Sequence, residues 1–454
     1  MSVASVRDVR PVLCNVKIVA DKRDGVFLTA TDAEIGIRIR VDADVSKDGE
    51  ALLPPKQFRQ ILESVKDGRL TLESTETGIV VTREYGGNEH WELDSQSPDE
   101  FPDVADFTET AYHEIPAKAL SKIIQRTLFA TDNENPQYAL GGVCFESNGK
   151  NITAVATDGY RLATQDASGI CVNDHEFEPA ILPVNVLKVL AKILKEKSVS
   201  DAGVKMAVNA VADNARRTSG RAHFQCGGVT IFSRLLEGRF PKWRTIVPKT
   251  DDRLHAGVRC KSLRTALDQM VTTKLEPGVL FAFQRGSLTL SSRAKESGQS
   301  KTTIPVVCND TTEFIVDVTL IRDYLRTLDA ETVIDIHMSF DNDPLMFEIG
   351  DSNYKYVVMP MTKPAVKVNA EPEADTGIEV VGQASPMQIS TEEEPMSEMD
   401  EPLDSDDDTD LQTRFFQLQM ENDQLQARAE HYKVLLDRAM LVIERMKSDQ
   451  RVCV

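Results

Sequence analysis

Two carboxylates follow strand-like runs in this chain: Asp32 in Ala30-Thr-Asp32, and Asp158 in Ala156-Thr-Asp-Gly-Tyr-Arg-Leu-Ala163. Such a pair could hold divalent cations and make the chain a metal-dependent nuclease. The competing reading is structural, because an Asp after Thr readily accepts the backbone N–H groups of its own turn. No Walker loop, His-Glu-x-x-His or paired-acid motif accompanies them, so neither metal nor cofactor is expected. A third stretch, Tyr356-Val-Val-Met-Pro-Met361, ends a strand in apolar and thioether side chains. By itself such a run is ordinary core. Set beside Gly159, which permits close backbone approach, and Arg161, which can meet a polar or acidic group, it suggests an apolar groove for a short peptide.

The elements that must position these residues repeat with a period of about 130 residues. A strand end runs into a helix at Leu52-Leu-Pro54 with 58–66, at Ile181-Leu-Pro183 with 186–197, and at Phe314-Ile-Val-Asp317 with 320–328. An alternating strand follows each time, at Leu70–Leu72, Val204–Val208 and Val333–Met338. Phe101-Pro102 is echoed by Phe240-Pro241. Three copies of one α+β unit is the simplest account.

Composition narrows the function. The 454 residues carry a net charge of -20, but residues 364–410 alone hold 15 acids against the single base Lys367. The acidity therefore sits largely in a segment with the composition of a disordered linker, not in the folded body. Five helices, 56–66, 118–126, 188–197, 259–270 and 320–328, instead carry 15 Lys/Arg and four acids. Lys118, Lys122 and Arg126 form one stripe, and Lys188, Lys192 and Lys195 another. One basic stripe is usually a solvated face; the same bias on five helices points to a polyanion. Cys14, Cys144, Cys171, Cys226, Cys260, Cys308 and Cys453 lie far apart without a Cys-x-x-Cys pair, so no disulfide framework or zinc site is expected. No signal peptide and no long apolar run is present, and the chain reads as cytoplasmic.

These stretches, with Ser233-Arg-Leu-Leu-Glu-Gly-Arg-Phe-Pro-Lys-Trp-Arg244, resemble in type and order the bacterial sliding clamps, the β subunits of DNA polymerase III. The resemblance covers about residues 5–363. It implies a DNA-clamp fold, with domains at 1–110, 111–250 and 251–363, pairing head to tail with a second copy into a ring whose hole is lined by helices. The implied role is non-catalytic: a processivity factor that encircles double-stranded DNA without reading sequence. An ATP-driven clamp loader would open the ring; the replicative polymerase, repair polymerases, mismatch-repair proteins and ligase would dock through short peptides. The implied cleft is Leu140, Thr157, Gly159, Tyr160, Arg161, Leu162, Pro241, Ile246, Met346, Val357, Val358, Met359, Pro360 and Met361. Tyr160 and Thr245 stand where the family commonly has His and a basic residue, which would alter client preference. The DNA-facing set is Arg7, Arg10, Lys56, Arg59, Lys118, Lys122, Arg126, Tyr138, Lys188, Lys192, Lys195, Lys261, Arg264, Arg322 and Arg326. The dimer seam would be Trp91 and Leu93 against Met270 and Val271.

The chain departs from the family at both ends. Met1 to Val9 leave room only for the end of the first helix, so either the start lies upstream or the first domain lacks a strand and a helix. Beyond Thr362 the chain continues for about 90 residues. From Leu411, Phe415, Leu418, Asn422, Leu425, Ala429, Tyr432, Leu436, Ala439, Ile443 and Met446 recur by three and four, as in a helix of 411–450 that pairs with its twin or packs alone. Gln412-Thr-Arg-Phe-Phe416 loosely resembles a clamp-binding peptide, although Phe415 also fits as a seam residue. A runner-up reading is an accessory clamp paralogue whose clients are altered by this tail.

Overall fold

The computed structural model describes residues 10–65, 68–75, 77–84, 89–132, 139–149, 151–196, 199, 201–212, 218–250, 253–271, 278–294, 298–339, 343–350, 353–361 and 452–453. The expected linker and tail helix lie outside these residues.

The second unit shows the full pattern. Strand β9 (Tyr112–Pro116) leads into helix α2 (Ala117–Thr127). Five strands follow: β10 (Gly142–Ser147), β11 (Asn151–Thr157), β12 (Arg161–Ser168), β13 (Ile170–Val172) and β14 (Ala180–Pro183). Then come α3 (Val184–Ile193) and β15 (Gly203–Ala212), β16 (Thr218–Cys226) and β17 (Val229–Arg234). The third unit repeats the order from β18 (Leu254–Arg259) and α4 (Cys260–Val271). It continues through β19 (Gly278–Gln284), β20 (Ser287–Ala294), β21 (Gly298–Pro305), β22 (Val307–Cys308) and β23 (Thr312–Asp317). It closes with α5 (Val318–Arg326), β24 (Val333–Met338), β25 (Leu345–Ile349) and β26 (Tyr354–Val358).

The first unit enters this order at its third element. It has β1 (Val16–Asp21), β2 (Gly25–Thr31), β3 (Ile35–Val41), β4 (Ala43–Asp44) and β5 (Gly49–Leu53). Helix α1 (Pro55–Ser64) then precedes β6 (Arg69–Ser74), β7 (Gly78–Glu84) and β8 (His90–Asp94). A last short strand, β27 (Val452–Cys453), joins the same sheet as β6–β8.

The helix-entry signals hold at all three sites. Pro55 opens α1 with its ring-fixed φ, and the Asp317 carboxylate caps α5 by accepting from Thr319 N–H at 2.8 Å. The helices are amphipathic as expected: in α2, Leu120, Ile123 and Ile124 are buried while Lys118 and Lys122 face solvent.

Units join by strand pairing, and they do so twice in the same way. The last strand of the second unit, β17, pairs antiparallel with β3 of the first, Ile231 opposite Ile37. The last strand of the third, β26, pairs antiparallel with β12 of the second, Leu162 opposite Val357. Two nine-stranded sheets result among the described residues, each crossing a unit boundary. The corresponding strands left over, β8 of the first unit and β21 of the third, are sheet edges.

The second unit also buries imidazoles. His113 is fully buried; its Nε2 lies 3.0 Å from Ser147 Oγ and its ring 5.3 Å from that of His175. Burial, and secondly His175, push His113 down to about 4 from an ordinary value near 6.5. His175, His223 and His337 are lowered by burial too. Between those two values the unfolded chain binds the proton that folded His113 refuses. Stability is therefore complete above pH 6.5 and lost as pH falls towards 4, by up to about 3 kcal/mol for His113. Urea midpoints at pH 7, 5.5 and 4 should fall in that order, and His113→Leu should flatten the dependence; parallel curves for both proteins would contradict this.

Candidate functional site

The Thr-Asp pairs build turns. Thr157 Oγ1 donates to the Arg161 carbonyl at 2.6 Å and accepts from Gly159 N–H, while Asp158 Oδ1 accepts from Tyr160 and Arg161 N–H at 3.0 and 2.9 Å. Thr31 and Asp32 make the same four bonds to residues 33–35. The residue after Asp has a left-handed backbone in both turns, φ 88° at Gly159 and 75° at Ala33. Burial raises both carboxylates, Asp32 to about 6, against the opposing pull of these N–H donors and, for Asp158, of Arg161. Each acid is spent on its own turn, and no cluster of three or more metal-ligating side chains occurs among the described residues.

The second turn abuts the Tyr356–Met361 run across the unit boundary. Met359 N–H donates to the Tyr160 carbonyl at 2.9 Å, extending the β12–β26 ladder into the turn. Below it lies an apolar cluster separate from the main core: Val155, Leu162, Met346 and Val357 form its buried floor. Phe240, Trp243, Ile246, Val247 and Met359 pack on that floor half-buried, leaving apolar surface towards solvent. Tyr160 stands at the rim, 39% exposed. Thr157, Gly159, Leu140, Pro241, Pro360 and Met361 are buried. Val358 corrects the expected set: strand alternation turns it into the main core, opposite in sense to Val357.

Phe240, Trp243, Val155 and Val247 were not in the expected set. The signal was present in Phe240-Pro-Lys-Trp243, since two aromatics in an irregular segment need a surface to cover. Trp243 Nε1 donates to Glu146 at 3.0 Å, and Arg244 lies 4.3 Å over the indole while pairing with Glu146 at 2.6 Å. A cavity of about 500 Å³ opens beside them, lined by Glu146, Glu178, Pro179 and residues 239–245.

Arg161 is the second correction. It is 9% exposed, and its nitrogens reach Asp158 at 2.8 Å, Asp323 of α5 at 2.9 Å and the Phe129 carbonyl at 2.8 Å. The guanidinium therefore braces the second unit against the third instead of facing an incoming acidic group. Behind it Tyr324 and Tyr356 stack at 4.5 Å, and Tyr356 donates to the Leu320 carbonyl. Arg161→Ala leaves the half-buried Asp158 without its cation and Asp323 with only the exposed Arg326, and should cost about 2–4 kcal/mol. Chemical denaturation of Arg161→Ala and Asp323→Asn would check this; a loss below about 0.5 kcal/mol for the arginine variant would match a surface pair and contradict the brace.

The basic helix residues divide. Lys56, Lys122, Lys188, Lys195 and Lys261 are exposed, and so is Arg10; Lys192 is half-buried. Lys118, Arg59, Arg322 and Arg326 pair with Asp201, Glu63, Asp268 and Asp323, all at partly exposed sites where such pairs open readily. Arg126 and Arg264 are corrections. Arg126 is buried, bonded to Gln165 at 2.7 Å and stacked 4.6 Å from the Tyr354 ring. Arg264 turns onto the C-terminal end of α5, donating to the Leu325 carbonyl and to that of Leu328 at 3.0 Å. Arg7 and Tyr138 lie outside the described residues.

On edge strand β8, Trp91 is half-buried and Leu93 buried. Met270 is fully buried inside the third unit on α4, the helix packed on β21; the Val271 side chain lies outside the description.

Comparison with known proteins adds the following. Residues 1–105 match the family model of the DNA polymerase III beta subunit, N-terminal domain, and 114–242 that of its central domain. A beta sliding clamp of Pseudomonas aeruginosa is 27% identical over 362 residues, covering 78% of this chain and 93% of that protein. One from Halalkalibacterium halodurans is 29% identical over 277 residues, 58% of this chain and 68% of the relative. A crystal structure of the P. aeruginosa DNA polymerase sliding clamp superposes with a TM-score of 0.68 at 25% identity, over 79% of this chain and 94% of the other.

Proposed function

This chain belongs to the family of the DNA polymerase III beta subunit, the sliding clamps, and we propose that its groove at the junction of the second and third units is the dock for client peptides. The protein is a non-catalytic processivity factor that holds polymerase and other clients on duplex DNA. The half-buried Phe240, Trp243, Ile246 and Met359 offer the apolar side chains of a client a place on an already dry floor. Thr245 at the rim, and the phenol of Tyr160 where the family commonly has an imidazole, shift preference towards apolar and neutral residues.

One observation carries the ring. The same edge-to-edge junction is used twice within the chain, β17 on β3 and β26 on β12, and the equivalent third pair is β8 with β21. These two strands stand at opposite ends of one chain, so a second copy supplies the missing neighbour at each end. Two head-to-tail copies close six units and consume both edges. We place the unit boundaries near residues 110, 250 and 363, Trp91 at the seam, and Met270 behind it as support.

Exposed Lys56, Lys122, Lys188, Lys195 and Lys261 then meet phosphates without reading bases, and exchange between neighbouring phosphates lets the ring slide. Among the described residues no helix is long and apolar enough to cross a membrane; the protein works in the cytoplasm, on the nucleoid. Light scattering after size exclusion at micromolar concentration should give the mass of two copies. A monomer there would defeat the closed ring.

A further inference from the structure

The brace around Arg161 has two ends, and they lie on different surfaces. At one end Asp158 Oδ2 accepts from Arg161 Nε at 2.8 Å, while its Oδ1 accepts the N–H groups of Tyr160 and Arg161. That turn fixes the Tyr160 carbonyl, which receives Met359 N–H at 2.9 Å beside the apolar groove. At the other end Asp323 divides its carboxylate between two cations. Its Oδ2 accepts from Arg161 Nη1 at 2.9 Å, and its Oδ1 from Arg326 Nη1 at 3.0 Å. The Arg161 side chain is 11% exposed and that of Arg326 68%, with Asp323 at 23% between them. Helix α5 thus buries Ile321, Tyr324 and Leu325, holds Asp323 at the unit junction, and turns Arg326 to solvent.

We propose that Asp323 is a positioning residue for the client groove, through which contact of Arg326 with a DNA phosphate tightens client binding. The inference rests on the reading of the groove as the client dock and of α5 as a helix facing the duplex. A phosphate competes well for Arg326, because the exposed guanidinium is held by a single carboxylate oxygen. When Arg326 swings away, the whole charge of Asp323 falls to Arg161. The like charge that opposed Arg161 across the carboxylate is gone at the same time, and both effects have one sign. Arg161 is held more firmly, and with it the Asp158 turn and the Tyr160–Met359 bond. A groove already fixed in its binding geometry gives up less conformational freedom when a peptide arrives, so affinity rises.

The coupling is reciprocal by thermodynamic necessity: a docked client firms the hold of Asp323 on Arg161 and frees Arg326 for the duplex. The Asp323–Arg326 pair is partly exposed, so the effect is modest, about threefold in affinity. Clients are thereby favoured on rings that already enclose DNA over rings free in solution.

The test uses the full chain and a labelled Gln-x-x-apolar-Phe peptide, read by fluorescence anisotropy. Without DNA, Arg326→Gln should bind the peptide about threefold more tightly than the unsubstituted chain, and Asp323→Asn about fivefold more weakly. A merely structural role would weaken binding in both variants, so opposite shifts from two residues that bond each other are diagnostic. Loaded on a nicked circular plasmid, the unsubstituted protein should gain about threefold over the free protein, and neither variant should gain. Should Asp323→Asn fail to fold, the Arg326→Gln shift and the plasmid arm decide alone. Equal affinity of the unsubstituted protein on and off the circle would overturn the proposal, as would shifts of one sign in the two variants. Failure of the underlying readings shows earlier, as an unsubstituted chain that binds no peptide without DNA or leaves the circle on gel filtration. Either result would take the coupling down with it.

Discussion

Ile246→Asp combined with Met359→Asp is expected to weaken binding of a Gln-x-x-apolar-Phe peptide by at least about 100-fold. Both side chains are half-buried on the floor formed by Val155, Leu162, Met346 and Val357, so both can be changed without opening the core. Losing the apolar cover of each costs about 1.5 kcal/mol or more, and the two together exceed the roughly 2.7 kcal/mol that corresponds to 100-fold. Each carboxylate must in addition be stripped of water when the peptide's Phe arrives. Fluorescence anisotropy with a labelled peptide reads the loss, and an unchanged thermal midpoint shows that the fold survives. Binding within about threefold of the unsubstituted chain would place clients elsewhere. Trp243→Ala should act in the same direction but less cleanly, because it also releases Glu146 and Arg244.

Trp91→Ala should raise the dimer dissociation constant by about 30- to 1,000-fold, the range that follows from truncating a central aromatic anchor at 2–4 kcal/mol. The indole lies half-buried on edge strand β8, opposite Val81 of β7, where it packs on the first unit and keeps surface for a neighbour. Trp91→Phe should recover most of the affinity, which separates loss of the contact from local unfolding. Sedimentation equilibrium gives both constants. If Trp91→Ala leaves the dimer unaltered while lowering only the thermal midpoint, the residue is core and the seam lies elsewhere.

The repeat was legible because it rests on local chemistry. Pro54 and Pro183 before α1 and α3, Asp317 before α5, and alternating strands after each helix place the same elements in each unit. The Thr-Asp turns were legible for the same reason, since all their partners lie within four residues. What the sequence could not reveal is long-range. Arg126 occupies the stripe position of a solvent-facing cation, yet Tyr354, more than 200 residues away, takes it inward. Arg264 is drawn onto the end of α5, 64 residues on, and Arg161 onto Asp323, 162 residues away. Val358 and Val357 are indistinguishable by type; only the pairing of β26 with β12 decides which faces the groove.

Enclosure of the duplex is tested most directly by loading the protein with its ATP-driven loader onto a nicked circular plasmid, removing free protein by gel filtration, and cutting half of the sample once. A ring should stay with the uncut circles through the column at moderate salt and run off the linear molecules within minutes. Equal retention on both forms, or equal loss from both, would mean that the protein holds DNA by surface contact and not by surrounding it.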